Sequence, residues 1–527
     1  MALWEDGMNV IEQFKAVRRV NTPLVIGITA DQPALQAGIA TALNGSAVLF
    51  AWDAVRGLRP ANDQATMWAE QFLGVADAKP QDKEAALRNL AAQTGAPFAA
   101  LDFAQNLPER AVLFMLNVDK WVADPVVATG ILNLRETFKR NKRTFIGTAA
   151  EINLPADLQS SVVLIEDEMP TDEERGAIID KLYEGAKTPF PALTPEERAE
   201  AITATRGLSY FMAEQTYAMS LEKDKGVNVA EVWRRKRIAF NQIDGLTLED
   251  NENAPTFDDI RGLEQILKRE RAHFAGKGAA AVIVRIEEIE KALAGSQGDS
   301  SGTGQAALGY ILDFMQENRC TGFVALGPGG SGKSLVSKAL GRQFHRPVVL
   351  FDVKATEDKF VGESGRKIRN SLRAIKGLAG GKPILFVATC NKLDALPPEL
   401  KRRFKQGLWF FDLPTVEERA AIWKLYLGKF GLKGYDANDL AARFVNWTGA
   451  EIFNACETAS DEGISIDDAA EFVVPVAEAD PTGLAKLRDL ANERFLNASA
   501  PGKYIRPGYK PTTSTEAEGD RAIDLSE

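Results

Sequence analysis

Glycines at 327, 329, 330 and 332, followed at once by Lys333 and Ser334, give the middle of this chain a spacing that suits one chemistry. Without Cβ atoms at Gly327, Gly329, Gly330 and Gly332, backbone N–H groups can approach an anion closely. Pro328 and Ser331 fill the remaining places of the loop. Leu335 opens a run with helical spacing, and the apolar stretch Gly322–Leu326 precedes the glycines. Strand, glycine loop and helix in that order form a phosphate cradle. The helix N-terminus adds partial positive charge, Lys333 reaches the outer phosphates of a nucleotide, and Ser334 offers a hydroxyl to Mg²⁺. An ordinary glycine-rich turn has no need of Lys and Ser after the last glycine, so the pattern is specific.

A second group of candidates lies earlier in the chain. The apolar run Ala279–Ile286 ends in Glu287 and Glu288. Two carboxylates leaving the end of a buried strand suit nucleotide hydrolysis: Glu287 to hold Mg²⁺ and Glu288 to orient the attacking water. A Glu pair alone also fits a solvated helix start. A third apolar run, Pro383–Thr389, ends at Cys390 and Asn391.

The rest of the composition bounds the class. A length of 527 residues implies three to four folding units, and 45% apolar with 26% charged residues describes an ordinary globular chain. The net charge of −10 supplies no general attraction to nucleic acid. Basic runs at Lys139–Arg143 and Arg234–Arg237 read as solvated faces, while Lys401–Lys405 belongs to a motif taken up below. Cys320, Cys390 and Cys456 have neither metal-site nor disulfide spacing, and His273 and His345 stand far apart. With no signal peptide and no apolar run long enough to span a bilayer, a cytoplasmic protein without membrane contact is expected.

Two α/β units must position these groups. Residues 1–190 show strands at Leu24–Ile28, Ala47–Trp52, Ala111–Leu116, Arg143–Thr148 and Ser161–Ile165, separated by helical stretches, which predicts a parallel sheet. After Ile28 the chain reads Thr29-Ala-Asp-Gln-Pro-Ala34 with no Gly-Lys pair, so this unit looks like a nucleotide fold that has lost its site. Residues 191–243 read as a continuous helical lid and connector, opened by the Thr194-Pro-Glu-Glu cap. Residues 244–255 read as a linker, 256–414 as the second α/β unit, 415–498 as its helical lid, and 499–527 as a disordered tail.

These residues resemble an AAA+ ATPase of the AAA clade. Thr256–Leu263 resembles that clade's opening motif, Phe360-Val361-Gly362 its pore loop, and Ala388-Thr-Cys-Asn391 its sensor-1 strand end, with Asn391 as the polar sensor. Leu396–Phe404 resembles the arginine-finger stretch, which implies Arg402 and Arg403, and Thr448-Gly449-Ala450-Glu451 resembles the lid motif that closes over the base. Bacterial and plastid AAA proteins with a degenerate first domain are similar in layout. The resemblance implies ATP and Mg²⁺ as ligands and a homo-oligomeric ring, usually a hexamer. One departure stands out: in the family the acidic Walker B strand follows the phosphate loop, whereas Ile286-Glu-Glu-Ile-Glu-Lys-Ala292 precedes it. An AAA+ sheet with rearranged connectivity is therefore expected, with Glu287 standing where the family has Asp.

Three functions follow from these features. The first is an ATP-driven ring that remodels or unfolds protein partners, which Phe360 and the arginines favour. The second is an ATP-controlled assembly or scaffold switch with slow turnover, which Glu287 and the inactive first unit favour. Nucleic-acid translocation, the third, is disfavoured by the acidic balance and the lack of a DNA-binding module.

Overall fold

The computed structural model describes residues 9–43, 45, 47–167, 169–187, 189–292, 303–356, 363–391 and 398–509. The chain forms two compact units, one of Met1–Lys181 with Leu208–Gln215, the other of Leu182–Gly207 with Thr216–Glu527. Both are α/β with largely parallel sheets.

In the first unit, six strands form one sheet: β1 (Leu24–Ile28), β2 (Leu49–Asp53), β3 (Gly57–Pro60), β4 (Val112–Leu116), β5 (Thr144–Ala149) and β6 (Val163–Glu166). Their order is β3-β2-β4-β5-β1-β6, and every neighbouring pair is parallel except β2 with β3. Successive side chains alternate between two cores, as a strand period of two requires. Leu24 and Ile26 join Phe50, Trp52, Leu113 and Met115 on one face. Val25 joins Ala51, Val112, Phe114 and Ile146 on the other. Helices cover both faces, which is why these strands read as continuous apolar runs. Helices Val10–Arg19 and Gln32–Ala42 bring Phe14, Val17, Leu35 and Ile39 to the Val25 face. Helix Pro125–Arg140 brings Ile131, Leu134 and Phe138 to the other.

The second unit begins with helices and a short hairpin of β7 (Leu221–Glu222) and β8 (Gly226–Val227). Its main sheet holds β9 (Leu246–Leu248), β10 (Val282–Ile286), β11 (Cys320–Leu326), β12 (Val348–Phe351), β13 (Ile384–Cys390), β14 (Leu408–Phe410) and β15 (Leu496–Asn497). The order is β15-β14-β11-β13-β10-β12-β9. Only the β12–β9 pair is antiparallel. Val284, Ile286, Val324, Phe386 and Ala388 face one core, shared with helices Thr303–Glu317 and Glu363–Ala379. Ile283, Phe323, Ala325, Leu385 and Val387 face the other, shared with helices Glu264–Ala275 and Lys333–Gln343. A separate core around Trp423, Leu440, Trp447 and Ile452 holds the helical lid together.

The two sheets correspond place by place. Reading from β6 in one and β14 in the other, β6-β1-β5-β4-β2-β3 matches β14-β11-β13-β10-β12-β9, including the antiparallel last pair. The third strand from the antiparallel edge is β4 in the first unit, made after β1 and β2. Its counterpart β10 is made before β11 and β12.

Several expectations need correction. The stretch 194–240 is not helical throughout: Pro195–Ala204, Tyr210–Ala218 and Val229–Phe240 are separate helices, interrupted by the β7–β8 hairpin. Its start is as expected, with Thr194 and Glu197 in a reciprocal capping box. Apart from Leu208–Gln215, residues 191–243 group with the second unit, not with the first as its lid. The stretch 244–255 is more than a linker, because it carries β9 with Leu246 and Leu248 buried. The tail from Ser499 to Tyr509 joins the fold. Tyr504 is buried, and its hydroxyl donates to Asp412 Oδ2 at 2.6 Å, an oxygen that Arg488 Nε also approaches at 3.2 Å. Residues 510–527 lie outside the described residues. Two members of the basic runs are buried, since carbonyls at loop ends need donors. Arg143 donates to the carbonyls of Gln105 and Pro108, and Lys236 to that of Arg206.

Glu270, in helix Glu264–Ala275, is fully buried, and neither carboxylate oxygen has a hydrogen-bond partner among the described residues. Burial pushes its pKa from 4.5 up to about 8. The folded chain therefore keeps a proton that the unfolded chain releases above its ordinary value, so stability falls as pH rises between these limits. Glu270→Gln, which cannot ionise, is expected to melt at a higher temperature than wild type at pH 8. The difference should shrink toward pH 5 in thermal denaturation followed by circular dichroism.

Candidate functional site

The glycine loop follows β11 and runs from Gly327 to Gly332. Three of its glycines are demanded by geometry, among them Gly330, at φ +75° with Thr448 Oγ1 2.7 Å from where a Cβ would stand. A Cβ on Gly327 would lie 2.2 Å from the carbonyl oxygen of Phe411. Gly332 has φ +90° and caps helix Lys333–Gln343 without a side-chain bond, leaving the first N–H groups of that helix free of a capping side chain. Ser331 Oγ donates to the Pro328 carbonyl at 2.9 Å, which tightens the turn. Leu335, half-buried, packs into the core beneath.

Lys333 Nζ donates to the carbonyls of Gly327 and Pro328, each at 2.7 Å. Burial lowers its pKa to about 8, against the opposing pull of Glu290, Cys390 and Glu288. Ser334 Oγ donates to Glu287 Oε1 at 2.9 Å. Glu287 also pairs with Arg285, whose other Nη pairs with Glu249.

Glu288 has φ +47°, a left-handed backbone that costs a non-glycine residue energy and is held in place by its neighbours. Its N–H donates to Thr389 Oγ1 at 3.0 Å, and its Oε1 accepts from Asn391 Nδ2 at 3.2 Å. The Asn391 N–H donates to Glu290 Oε1 at 3.0 Å. Glu290 is buried, and its Oε2 has no partner among the described residues.

Lys333, Ser334, Glu287, Glu288 and Asn391 thus meet at one edge of the sheet, although Glu287 and Glu288 precede the loop in the chain. The lid reaches the same place. Thr448 and Glu451 form a capping box at the start of helix Gly449–Glu462, and the Ala450 N–H donates to the Gly330 carbonyl at 3.4 Å. The arginines lie apart from this cluster: Arg402 is exposed, and Arg403 Nη2 donates to Gln316 Oε1 at 2.6 Å. Phe360, Val361 and Gly362 lie outside the described residues. Arg285, Glu249, Thr389 and Glu290 were not among the expected site residues. One signal was available for Arg285, because a strand period of two puts it on the face that carries Glu287.

The donor set suits a hard cation. A hydroxyl and a carboxylate oxygen stand 2.9 Å apart beside the loop. Among the described residues no group of three or more His, Cys, Asp or Glu could hold a metal alone. Mg²⁺, the cation expected with a nucleotide, takes oxygen ligands of this kind.

The equivalent edge of the first unit is built differently. The connection from β1 to its helix is Thr29–Asp31, three residues against the six of Gly327–Gly332. Gln32, the first residue of that helix, bridges the strand ends: Oε1 accepts from the Asn117 N–H at 2.9 Å and from Thr148 Oγ1 at 2.7 Å. Its Nε2 donates to Asn117 Oδ1 at 2.8 Å.

Comparison with known proteins places similarity in both units. Residues 10–166 match the family described as SpoVK-like AAA ATPase, N-terminal domain. Residues 323–387, which contain the glycine loop, match the ATPase family associated with various cellular activities (AAA). The chain is a relative of the AAA ATPases. It is 22% identical over 546 residues to an AAA domain-containing protein, ycf46, of Guillardia theta, covering 92% of this chain and 95% of that one. The ycf46 protein of Pyropia yezoensis is also 22% identical, over 93% of this chain and all of that one. A proteasome-activating nucleotidase of Sulfurisphaera tokodaii is 26% identical over 26% of this chain and 46% of its own. The AAA match begins at Phe323, so β10 and its carboxylates fall outside it.

Nucleotide binding, which the AAA match implies, is expected to take up a proton if Lys333 meets the phosphates. The ammonium form of Lys333 is the one that phosphate favours, and above about pH 8 the free site loses it. Affinity for nucleotide is expected to fall as pH rises from 8 to 9.5, by up to about tenfold per unit. Calorimetry in buffers of different ionisation enthalpy should register proton uptake on binding.

Proposed function

We propose that the second unit hydrolyses ATP and that the protein works as a homo-oligomeric ring, of six subunits in the manner of the family, that remodels protein partners. The observation that carries the reading is the position of β10. It lies between β12 and β13, where β4 lies in the first sheet, and so brings Glu287 and Glu288 beside Ser334 and Asn391. In this reading β10 is the Walker B strand, moved ahead of the phosphate loop in chain order. Parallel strands allow that, since each needs only a crossover to reach its place.

Each residue then has a task. The N–H groups of Gly329–Ser334 and the Lys333 ammonium hold the phosphates, Lys333 exchanging its two carbonyl partners for them. Ser334 and Glu287 would hold Mg²⁺, which would supply positive charge against the phosphates. Glu288 accepts a hydrogen bond from the attacking water, and Asn391 fixes the Glu288 carboxylate while contacting the same water. Gly449 and Ala450 close over the nucleotide from the lid. Arg402 and Arg403, apart from their own site, act on the nucleotide of the neighbouring subunit. Phe360, Val361 and Gly362 grip the protein substrate. The Sulfurisphaera relative, a proteasome-activating nucleotidase, is in keeping with work on protein partners. Three buried free cysteines agree with a reducing, cytoplasmic setting.

A second reading, an ATP-controlled assembly switch with slow turnover, is favoured by one observation: Arg285 engages the same carboxylate oxygen of Glu287 that meets Ser334. Steady-state ATPase rate against protein concentration separates the two. A ring machine should show a rate per subunit that rises with concentration. Lys333→Ala, Glu288→Gln and Arg403→Ala should each lower that rate at least about a hundredfold, and Phe360→Ala should keep ATPase activity while losing remodelling. A wild type that binds ATP but turns over no faster than Glu288→Gln would leave the switch.

A further inference from the structure

Arg285 is 4% exposed at the centre of a parallel sheet, a place where strands carry apolar side chains. Its two Nη atoms divide between Glu287 and Glu249, and its Nε has no partner among the described residues. The path to Glu249 crosses a strand. Arg285 stands in register with Leu350 of β12, and Leu350 with Thr247 of β9. Glu249 follows β9 directly and is tied down by its own N–H, which donates to the Val348 carbonyl at 2.9 Å. The result is a fixed chain: Glu249, Arg285, Glu287, Ser334.

Resting on the reading of Ser334 and Glu287 as the cation's protein ligands, we propose that Arg285 and Glu249 are positioning residues for that cation. Arg285 draws the Glu287 carboxylate to the Ser334 hydroxyl. Glu249 takes up the charge that Arg285 would otherwise spend on Glu287. The geometry explains why both are needed. A glutamate has one more rotatable bond than the aspartate of the resembling family, and a buried guanidinium two residues earlier on the same face restrains it. A guanidinium alone would neutralise Glu287 and repel a divalent cation. With Glu249 included, two carboxylates face one guanidinium, and the cluster keeps a net negative charge for the cation to meet. The pair also links the metal position to β9, the edge strand that joins helix Val229–Phe240 to the sheet.

The test is binding of a fluorescent ATP analogue to the full chain, first in EDTA and then through a Mg²⁺ titration, so that no turnover is required. Glu249→Gln is expected to raise the half-saturating Mg²⁺ concentration about tenfold, with affinity in EDTA changed less than about twofold and the melting temperature near that of wild type. Glu249→Asp should recover part of the loss. The double variant Arg285→Gln with Glu249→Gln, which restores the net charge, should need less Mg²⁺ than Glu249→Gln alone. An unchanged Mg²⁺ requirement in Glu249→Gln would overturn the inference, as would an equal loss in EDTA, which marks a merely structural role. If wild type binds the analogue, Lys333→Ala does not, and Mg²⁺ has no effect on either, the assignment of Ser334 and Glu287 as cation ligands falls, and this proposal with it.

Discussion

Parallel strands end on a common edge, and the second unit depends on that constraint more than on any single contact. β11 delivers the glycine loop, β10 delivers two carboxylates, and β13 runs between them and pairs with both. Hydrogen bonds from β13 finish the site. Thr389 accepts the Glu288 N–H, while Asn391 donates to Glu288 from its side chain and to Glu290 from its backbone. Burial of all three strands on both faces leaves little room for their ends to move. Chain order can then change without moving any reacting group.

The first unit repeats the strand order without the glycine loop among its described residues, which separates scaffold from chemistry. Its β1 connection is half the length of the glycine loop, and Gln32 spans the gap to Asn117 and Thr148. A domain of this kind keeps the strand ends satisfied by its own side chains. The left-handed Asn117, at φ +54°, directly follows β4, and the left-handed Glu288 stands two residues past the end of β10.

Much of this was legible in the sequence because it depends on local pattern. The strand runs, the glycine loop, the Thr194 cap and the strand ending in Glu287 and Glu288 are all short, regular signals. The structure added what depends on distant partners. Arg285 reads as a flaw in an apolar strand until Glu249, which pairs with it across β12, is in view. Lys236 and Arg143 read as surface charge because no local feature announces the carbonyls they serve. The stretch 499–509 has tail-like composition, yet Tyr504 finds Asp412 some ninety residues back, and a composition rule has no access to that pairing. Boundaries failed for the same reason: which unit a helix joins is decided by packing and not by its own residues.

The order β15-β14-β11-β13-β10-β12-β9 also bears on how the chain is made. From β9 through β14, no strand has its immediate predecessor as a neighbour. As the nascent chain leaves the ribosome, β9 from Leu246 has no mate until β12 appears at Val348. β10 waits for the same strand, and β11 waits for β13 at Ile384. Three apolar strands must therefore emerge before any of them can pair, whereas β2 and β3 of the first unit close within Leu49–Pro60. Such long-range closure slows folding and prolongs exposure of strand edges. The burden of this strand order falls on the half-made chain and not on the finished sheet.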